Sequence, residues 1–278
     1  MKTEMLCLMA VLAAGVPRAA GSHELWLWPE PLAAPAGGFT RLSLKVGEFF
    51  EGESAAISAQ SAGALRRYSG GKVQNVLEGA RVDRPRAEIK IDLPKAGTHL
   101  IAYDSLPSHI VLSADRFHAY LHDEGLDAIA GMRATAGTAS LPGRERFRRC
   151  VKSLVRVGGV SDATYAVRTG QRLEIVPRSD PLIAAPGEKL DFDLLFDDRP
   201  VAGRLVKAWH KRAGQTVVIR AYSDTSGRVT FNLPYGGAWM ISVVHMIAAT
   251  GSSDADWDSF WGSLTFDLRG QATDAPKG

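Results

Sequence analysis

The sequence predicts an all-β protein made of two β-sandwich units, with one helical insertion in the first unit. Polar and apolar residues alternate in "TRLSLKVG" (40–47) and "AEIKIDLP" (87–94), which is the period of a half-buried strand. Short strands and turn signals recur at regular spacing in the second half of the chain. That pattern is typical of immunoglobulin-like and transthyretin-like sandwiches.

The first unit is predicted to cover residues 23–170. Within it, "GTHLIAYDSLPSHIVL" (97–112) predicts two strands that pair antiparallel through a bend at 104–108. The Gly-, Thr- and Arg-rich stretch "TAGTASLPGRERFRR" (135–149) predicts a surface loop. Strand character returns in "CVKSLVRVGG" (150–159).

The helical insertion is predicted at about residues 114–134. Phe117, Tyr120 and Leu121 form one stripe at helical spacing, and Ser113 precedes them as an N-cap. We therefore expect one helix that buries this stripe against the strands.

The second unit is predicted to be an immunoglobulin-like sandwich over residues 171–268. Its first strand breaks at Pro177 and Pro181, and alternation resumes in "DFDLLF" (191–196). Three aspartates, Asp254, Asp256 and Asp258, are predicted to form a capped turn before the last strand. The polar tail 269–278 is predicted to be disordered.

Residues 1–22 are predicted to be a signal peptide. A basic start at Lys2 precedes an apolar run at 5–16 and the small residues of "RAAGS". This run is shorter than the ~20 residues that a membrane-spanning helix needs, and no later segment is longer. We expect an exported, periplasmic protein whose mature chain has no transmembrane segment.

Composition and motifs exclude several classes of function. The formal net charge is +3 in 278 residues, without a basic stripe, so we expect no nucleic-acid partner. Cys7 lies in the predicted leader, so Cys150 has no partner for an intramolecular disulfide and is predicted to be a buried small residue. The chain has no GxSxG, phosphate-loop or dinucleotide motif, so we expect no enzyme.

Several phrases, in their order and spacing, resemble the domain-of-unknown-function 4198 family. They include "HELWLWPEP", "KVGEFFEG", "GTHLIAYDSLPS", "AWMISVVHM" and "SDADWDSFWGSLTF", and the resemblance extends from about residue 23 to 268. The resemblance implies an exported bacterial protein. Some members of the family carry the label of nickel or cobalt uptake components. The residues it implies as recurrent are His23, Trp26, His99, His245, Trp257 and Trp261.

A metal site is predicted at the new amino terminus. The leader permits cleavage after Ala20 or after Ser22, and the second cut makes His23 the first residue. Its amine and ring Nδ1 could then chelate nickel, cobalt or copper, with His99 or His245 completing the site. We expect a role in metal uptake or trafficking, with a membrane metal-uptake permease as the partner.

A second pair of candidate ligands is His118 and His122 in the predicted helix. Their i, i+4 spacing places both rings on one side of the helix, about one turn apart. The segment lacks the HExxH glutamate of hydrolytic zinc sites. The pair therefore predicts metal binding without hydrolysis.

Two alternative functions stay open. Trp26 and Trp28 alternate with Leu25 and Leu27, so both indoles face one side of a strand. Exposed indoles would make this a non-catalytic module that binds a glycan or a protein, whereas buried indoles would anchor the first strand. The other alternative is a copper redox enzyme with an amino-terminal histidine site.

Overall fold

The computed structural model describes residues 23–80, 85–251 and 254–269. The predicted signal peptide and residues 270–278 of the predicted tail lie outside the described residues. Within the described residues, no helix is long and apolar enough to cross a membrane.

Strands dominate these ranges. In chain order they are β1 (Glu24–Glu30), β2 (Ala33–Ala34), β3 (Gly38–Glu48), β4 (Glu51–Ala55), β5 (Ala62–Ser69), β6 (Lys72–Asn75), β7 (Glu88–Leu93), β8 (Gly97–Ser105), β9 (Ser108–Leu112), β10 (Gly143–Val157), β11 (Leu173–Pro177), β12 (Lys189–Phe196), β13 (Arg199–Pro200), β14 (Leu205–Arg212), β15 (Gln215–Tyr222), β16 (Arg228–Asn232), β17 (Gly237–Ala248) and β18 (Trp257–Leu268). The helices are α1 (Val76–Ala80), α2 (Ala114–Asp123) and α3 (Asp127–Thr135), with a 3-10 turn at Ala163–Ala166. The all-β prediction is confirmed.

Three sheets form within the described ranges. The central sheet has ten strands, in the order β15-β14-β17-β18-β10-β8-β5-β6, and β2 and β9 also pair with β10. In the N-terminal sheet, β3 pairs with β1, β4 and β7, and in the C-terminal sheet, β12 pairs with β11, β13 and β16. Strands β10 and β18 pair in parallel.

The smaller sheets cover opposite faces of the central sheet and so build two sandwiches. On the front face, Leu27 and Leu42 of the N-terminal sheet share a core with Ile101 and Val155 of the central sheet. On the back face, Phe192 of the C-terminal sheet belongs to a core that also contains several central-sheet residues, among them Trp239, Ile241, Phe260 and Leu264. The apolar stripe of α2 packs on the front face against β17 and β18.

The predicted single helix is two helices. Chain direction changes at Gly125, whose φ of 64° favours glycine, and a Cβ there would come within 2.7 Å of the Leu205 Cβ. Ser113 precedes α2 as predicted, but its side chain makes no capping hydrogen bond.

The predicted hairpin at 97–112 is wrong. Both β8 and β9 pair antiparallel with β10, at Leu154–Arg156 and at Gly143–Phe147 respectively, so they follow one another along the same edge. Leu106 and Pro107 between them interrupt the strand without reversing it. The predicted loop at 135–149 is also shorter than expected, because β10 begins at Gly143.

The central sheet contains strands from both sides of the predicted boundary after residue 170. β18 of the second unit lies beside β10 of the first, with Glu145 opposite Trp257 and Ser153 opposite Thr265. The division into units that fold separately stays a prediction.

Candidate functional site: an aromatic cleft

An aromatic cleft opens where the N-terminal sheet meets β14 and β17. Its cavity volume is about 360 Å³, and it is lined by Trp26, Trp28, Lys45, Phe50, Gly52, Lys211 and Ala238. Trp209 and Met240 pack with Trp26 and Phe50 beneath it. Because clefts between packed units are common ligand sites, this cleft is the candidate functional site.

Strand alternation places both indoles on one side of β1, as predicted, and that side faces the cleft. Leu27 faces the front core, whereas Trp26 and Trp28 point the other way and contact Phe50, with ring centroids 5.4 and 5.8 Å apart. Trp26 is 3% exposed and Trp28 is half-buried. Trp26 therefore anchors β1, and Trp28 presents ring surface to a ligand.

The turn between β3 and β4 supplies the third ring. Phe49 and Phe50 both have positive φ, at 55° and 57°, a conformation that favours Asn and Gly in two-residue hairpin turns. Left-handed backbone costs a residue with a side chain about 1–2 kcal/mol. This strained turn places the Phe50 ring against both indoles, so it serves the cleft at the expense of local stability.

Gly52 lets the rings approach the backbone. A Cβ at this position would lie 2.3 Å from the Val46 carbonyl oxygen and 2.9 Å from Trp26 Cη2. Any larger residue would push β4 away from β3 or displace the indole.

Two lysines supply positive charge at the rim. Lys45 Nζ donates to Ser54 Oγ at 2.9 Å, and Lys211 Nζ donates to Glu51 Oε2 at 2.8 Å. The Lys211 ammonium holds the pKa of the Glu51 carboxyl below its usual range. The cleft thus combines apolar ring surface with ammonium groups.

Sequence reasoning identified the two indoles but missed Phe49, Phe50 and the two lysines. The signal was present in "VGEFFEG" (46–52), where two phenylalanines stand between acidic residues at a hairpin turn. Lys211 carried no local signal, because it comes from a strand 160 residues away from its partner Glu51.

His23 lies at the exposed start of β1. Its side chain is 53% exposed, and Nε2 is 3.4 Å from Glu48 Oε1. The structure therefore brings a carboxylate, and not a second imidazole, to the predicted amino-terminal ligand.

His99 is buried in β8 and lies far from His23. Its Nε2 donates to the Lys95 carbonyl oxygen at 2.9 Å, and burial lowers its pKa. His99 lies opposite Val155 of β10, and the next residue, Arg156, lies opposite Ala33. Ala33 follows the C-terminal end of β1, whereas His23 precedes its N-terminal end. The two histidines thus lie toward opposite ends of β1.

His245 lies on the back face of the central sheet. It is 7% exposed, and its ring centroid is 4.4 Å from that of Phe196. Its Nδ1 has no hydrogen-bond partner among the described residues. Because β1 packs on the front face, the structure does not bring His245 to His23.

The remaining candidate ligands are exposed. His118 and His122 lie on the outer side of α2, and His122 Nδ1 is 3.7 Å from Asp127 Oδ1. Across the described ranges, no three His, Cys, Asp or Glu side chains are grouped so that they could hold a metal ion. Cys150 is buried as predicted, and burial raises the pKa of its thiol to about 12.

Buried charges lie between β1 and α2 on the front face. Glu24 Oε1 accepts a hydrogen bond from Ser242 Oγ at 2.9 Å, and Lys207 Nζ donates to Glu124 Oε2 at 2.7 Å. The guanidinium of Arg149 lies 4.3 Å from the ring centroid of Trp261. Burial, followed by the charge of Glu124, raises the pKa of Glu24 to about 7.

Glu24 and His245 should give opposite pH dependence of stability. Between pH 4.5 and 7 folded Glu24 keeps a proton that the unfolded chain releases, so its contribution to stability falls as pH rises. Burial, followed by the charge of Arg204, lowers the pKa of His245 to about 4. Between pH 4 and 6.5 only the unfolded chain binds that proton, so this contribution rises with pH.

We expect Glu24→Gln to gain stability relative to the wild type as pH rises through 4.5–7, by up to about 1.4 kcal/mol per pH unit. His245→Phe should lose relative stability as pH rises from 4 to 6.5. Urea unfolding at half-unit pH steps measures both differences. Parallel profiles of the wild type and a variant would contradict the assignment for that residue.

A comparison with models of protein families matches a region much larger than the aromatic cleft. The model of a domain of unknown function, DUF4198, matches residues 20–247, which is more than half of the chain. The chain belongs to the DUF4198 family. The match includes β1, the aromatic turn and β14, and it ends before β18, so "SDADWDSFWGSLTF" lies outside it.

Comparisons with individual proteins add little to the DUF4198 assignment. No curated protein matches the chain. Among solved structures, the FN1–FN3 domains of chicken CNTN1 match at 6% identity and a TM-score of 0.19, with 87% of this chain and 66% of that chain covered. Three N-terminal domains of the bacteriophage RB49 outer capsid protein Hoc match at 9% identity and a TM-score of 0.19, covering 88% and 59%. The chain thus spans less than two thirds of either protein.

Proposed function

We propose that this DUF4198 protein is an exported, periplasmic, non-catalytic binding protein, and that its aromatic cleft binds a glycan. The observation that carries the proposal is the half-buried indole of Trp28 beside Phe50 in a cleft flanked by two lysines. Aromatic faces pack against the C–H groups of a sugar ring, and ammonium groups donate to its oxygens.

The strand edges near the cleft favour a glycan over a peptide that would add as a strand. Ser263 Oγ already donates to the carbonyl oxygen of Leu25 on β1 at 2.9 Å. On the other side, β4 reads "EGESA" (51–55), and acidic residues and glycine disfavour strand addition. Recognition here depends on side chains.

Nickel, cobalt or copper binding at the amino terminus, with a metal-uptake permease as partner, is the second candidate. The observation in its favour is the carboxylate of Glu48 beside the exposed ring of His23. Carboxylate and imidazole are both ligands of these metals. The proposal requires cleavage after Ser22, which the mass of the exported protein measures.

Titration of the mature protein with soluble oligosaccharides tests the glycan proposal. Tryptophan fluorescence and calorimetry should detect binding, and Trp28→Ala should weaken it at least tenfold, since truncating a central aromatic contact costs about 2 kcal/mol or more. Phe39→Ala is the matched control, because this exposed ring lies near Arg41 and Lys90, outside the cleft. Wild-type affinity in Trp28→Ala would contradict the proposal. Parallel titration with Cu²⁺, Ni²⁺ and Co²⁺ against His23→Ala tests the second candidate.

A further inference from the structure

A basic pocket adjoins the aromatic cleft. Its volume is about 640 Å³, and its chemically distinctive lining residues are His210, Lys211, Arg212 and Tyr235. Lys211 and Ala238 line both cavities, so the two share a wall. We infer that the basic pocket holds a carboxylate of the glycan, and that the ligand is therefore an acidic oligosaccharide; this inference rests on the proposed function.

Ring stacking fixes the cationic group of the basic pocket. The guanidinium carbon of Arg212 lies 4.3 Å from the ring centroid of Tyr235. Tyr235 stacks on His210 at 5.7 Å, and His210 stacks on Trp239 at 4.6 Å. A guanidinium over a ring face still has N–H groups for a ligand, and these match a carboxylate in a bidentate contact.

Charge around the two cavities favours an anion. Among the residues that the structure describes, no carboxylate lies within 4.0 Å of Arg212, and Glu51 is the acid that pairs with Lys211. Lys45 on the other side of the cleft bonds to a neutral hydroxyl. Among the described residues that line the two cavities, Lys45, Lys211 and Arg212 carry positive charge and none is a carboxylate.

His210 adds a contact suited to a sugar hydroxyl. Its Nδ1 donates to the Ala238 carbonyl oxygen at 2.9 Å, since a carbonyl can only accept. Nε2, the other ring nitrogen, is the polar atom of His210 left for a ligand hydroxyl. A hydroxyl, which can donate or accept, can pair with it while the neighbouring carboxylate binds Arg212.

The wall that the two cavities share determines which part of the ligand lies in each cavity. One sugar ring packs on Trp28 in the aromatic cleft, Lys211 lies at the junction, and the carboxylate of the next unit binds Arg212. Glycine at 236 and 237 leaves this end of the basic pocket without side chains. A chain of sugar units can therefore continue past it.

Paired probes test the inference. The mature protein is titrated with oligogalacturonate, oligomannuronate and hyaluronan oligosaccharides, each beside its carboxyl-reduced, neutral counterpart. At least one acidic probe should bind tenfold or more tightly than its neutral counterpart, and about 0.5 M NaCl should reduce that ratio. Arg212→Gln should abolish the ratio, whereas Arg220→Gln, an exposed arginine on β15, should preserve it.

Each outcome separates the inference from the proposed function. Equal affinity for acidic and neutral probes would overturn the inference and leave the glycan proposal standing, as would an unchanged ratio in Arg212→Gln. Loss of binding to both probe types in Trp28→Ala supports the proposed function alone. Absence of binding by every probe overturns both.

Discussion

Ending the chain after Gly170 should leave residues 23–170 without a stable fold. The truncation removes β18, the parallel neighbour of β10 over Glu145–Ser153. It also removes the Asp256 and Asp258 carboxylates that bind Arg144 and Arg146. The front-face helices would lose Trp257 and Trp261 from their core. An interior strand would become an edge beside an exposed apolar surface, which promotes aggregation.

Expression of the fragment 23–170, followed by circular dichroism and thermal melting, measures this effect. We expect insoluble protein or a melt without a cooperative transition. Co-expression with residues 171–269 should restore soluble, folded protein, because that fragment returns β18 to β10. A soluble fragment 23–170 with a cooperative transition would show that the two units fold independently.

Glu174→Ala should lower the free energy of unfolding by about 3–5 kcal/mol, the usual cost of breaking a buried ion pair. Lys152 and Glu174 are each 1% exposed, and Lys152 Nζ donates to Glu174 Oε1 at 2.9 Å. The same carboxylate accepts from the backbone N–H groups of Thr169 and Gly170, at 2.6 and 3.2 Å. The variant leaves a buried ammonium, these two N–H groups and the Thr169 hydroxyl without their acceptor.

Urea unfolding of Glu174→Ala and of a matched control measures this cost. Asp197→Asn removes a pair of similar geometry with Arg172, but those side chains are 48% and 45% exposed. An exposed pair contributes about 0–1 kcal/mol, so the control should change little. A loss below about 1 kcal/mol in Glu174→Ala would contradict the role assigned to this carboxylate.

Sequence patterns predicted the features that depend on neighbouring residues along the chain, such as the side of a strand on which a residue lies. Alternation predicted that Trp26 and Trp28 share one side of their strand, and this is confirmed. Helical spacing located the insertion but did not reveal the break at Gly125, where a φ of 64° ends α2.

Contacts between distant segments account for what the sequence did not predict. The arginines of "GRERFRR" suggested a loop, yet Arg144 and Arg146 belong to a strand. Asp256, just before β18, pairs with Arg144, and Asp258 in β18 pairs with Arg146. The cleft likewise combines β1, the β3–β4 turn, β14 and β17. No local pattern reports which of these segments meet.

The two ends of the described chain complete the same part of the fold. Ser263 and Leu25, 238 positions apart, share a hydrogen bond, as do Ser242 and Glu24, 218 positions apart. Contacts of such high sequence separation make folding slow, because loop closure precedes any gain from the contact. A chain synthesised from its amino terminus can close these contacts only after β17 and β18 have been made. The topology therefore defers formation of the aromatic cleft until β14 and β17 have been made, because Lys211 and Ala238 of these strands line it.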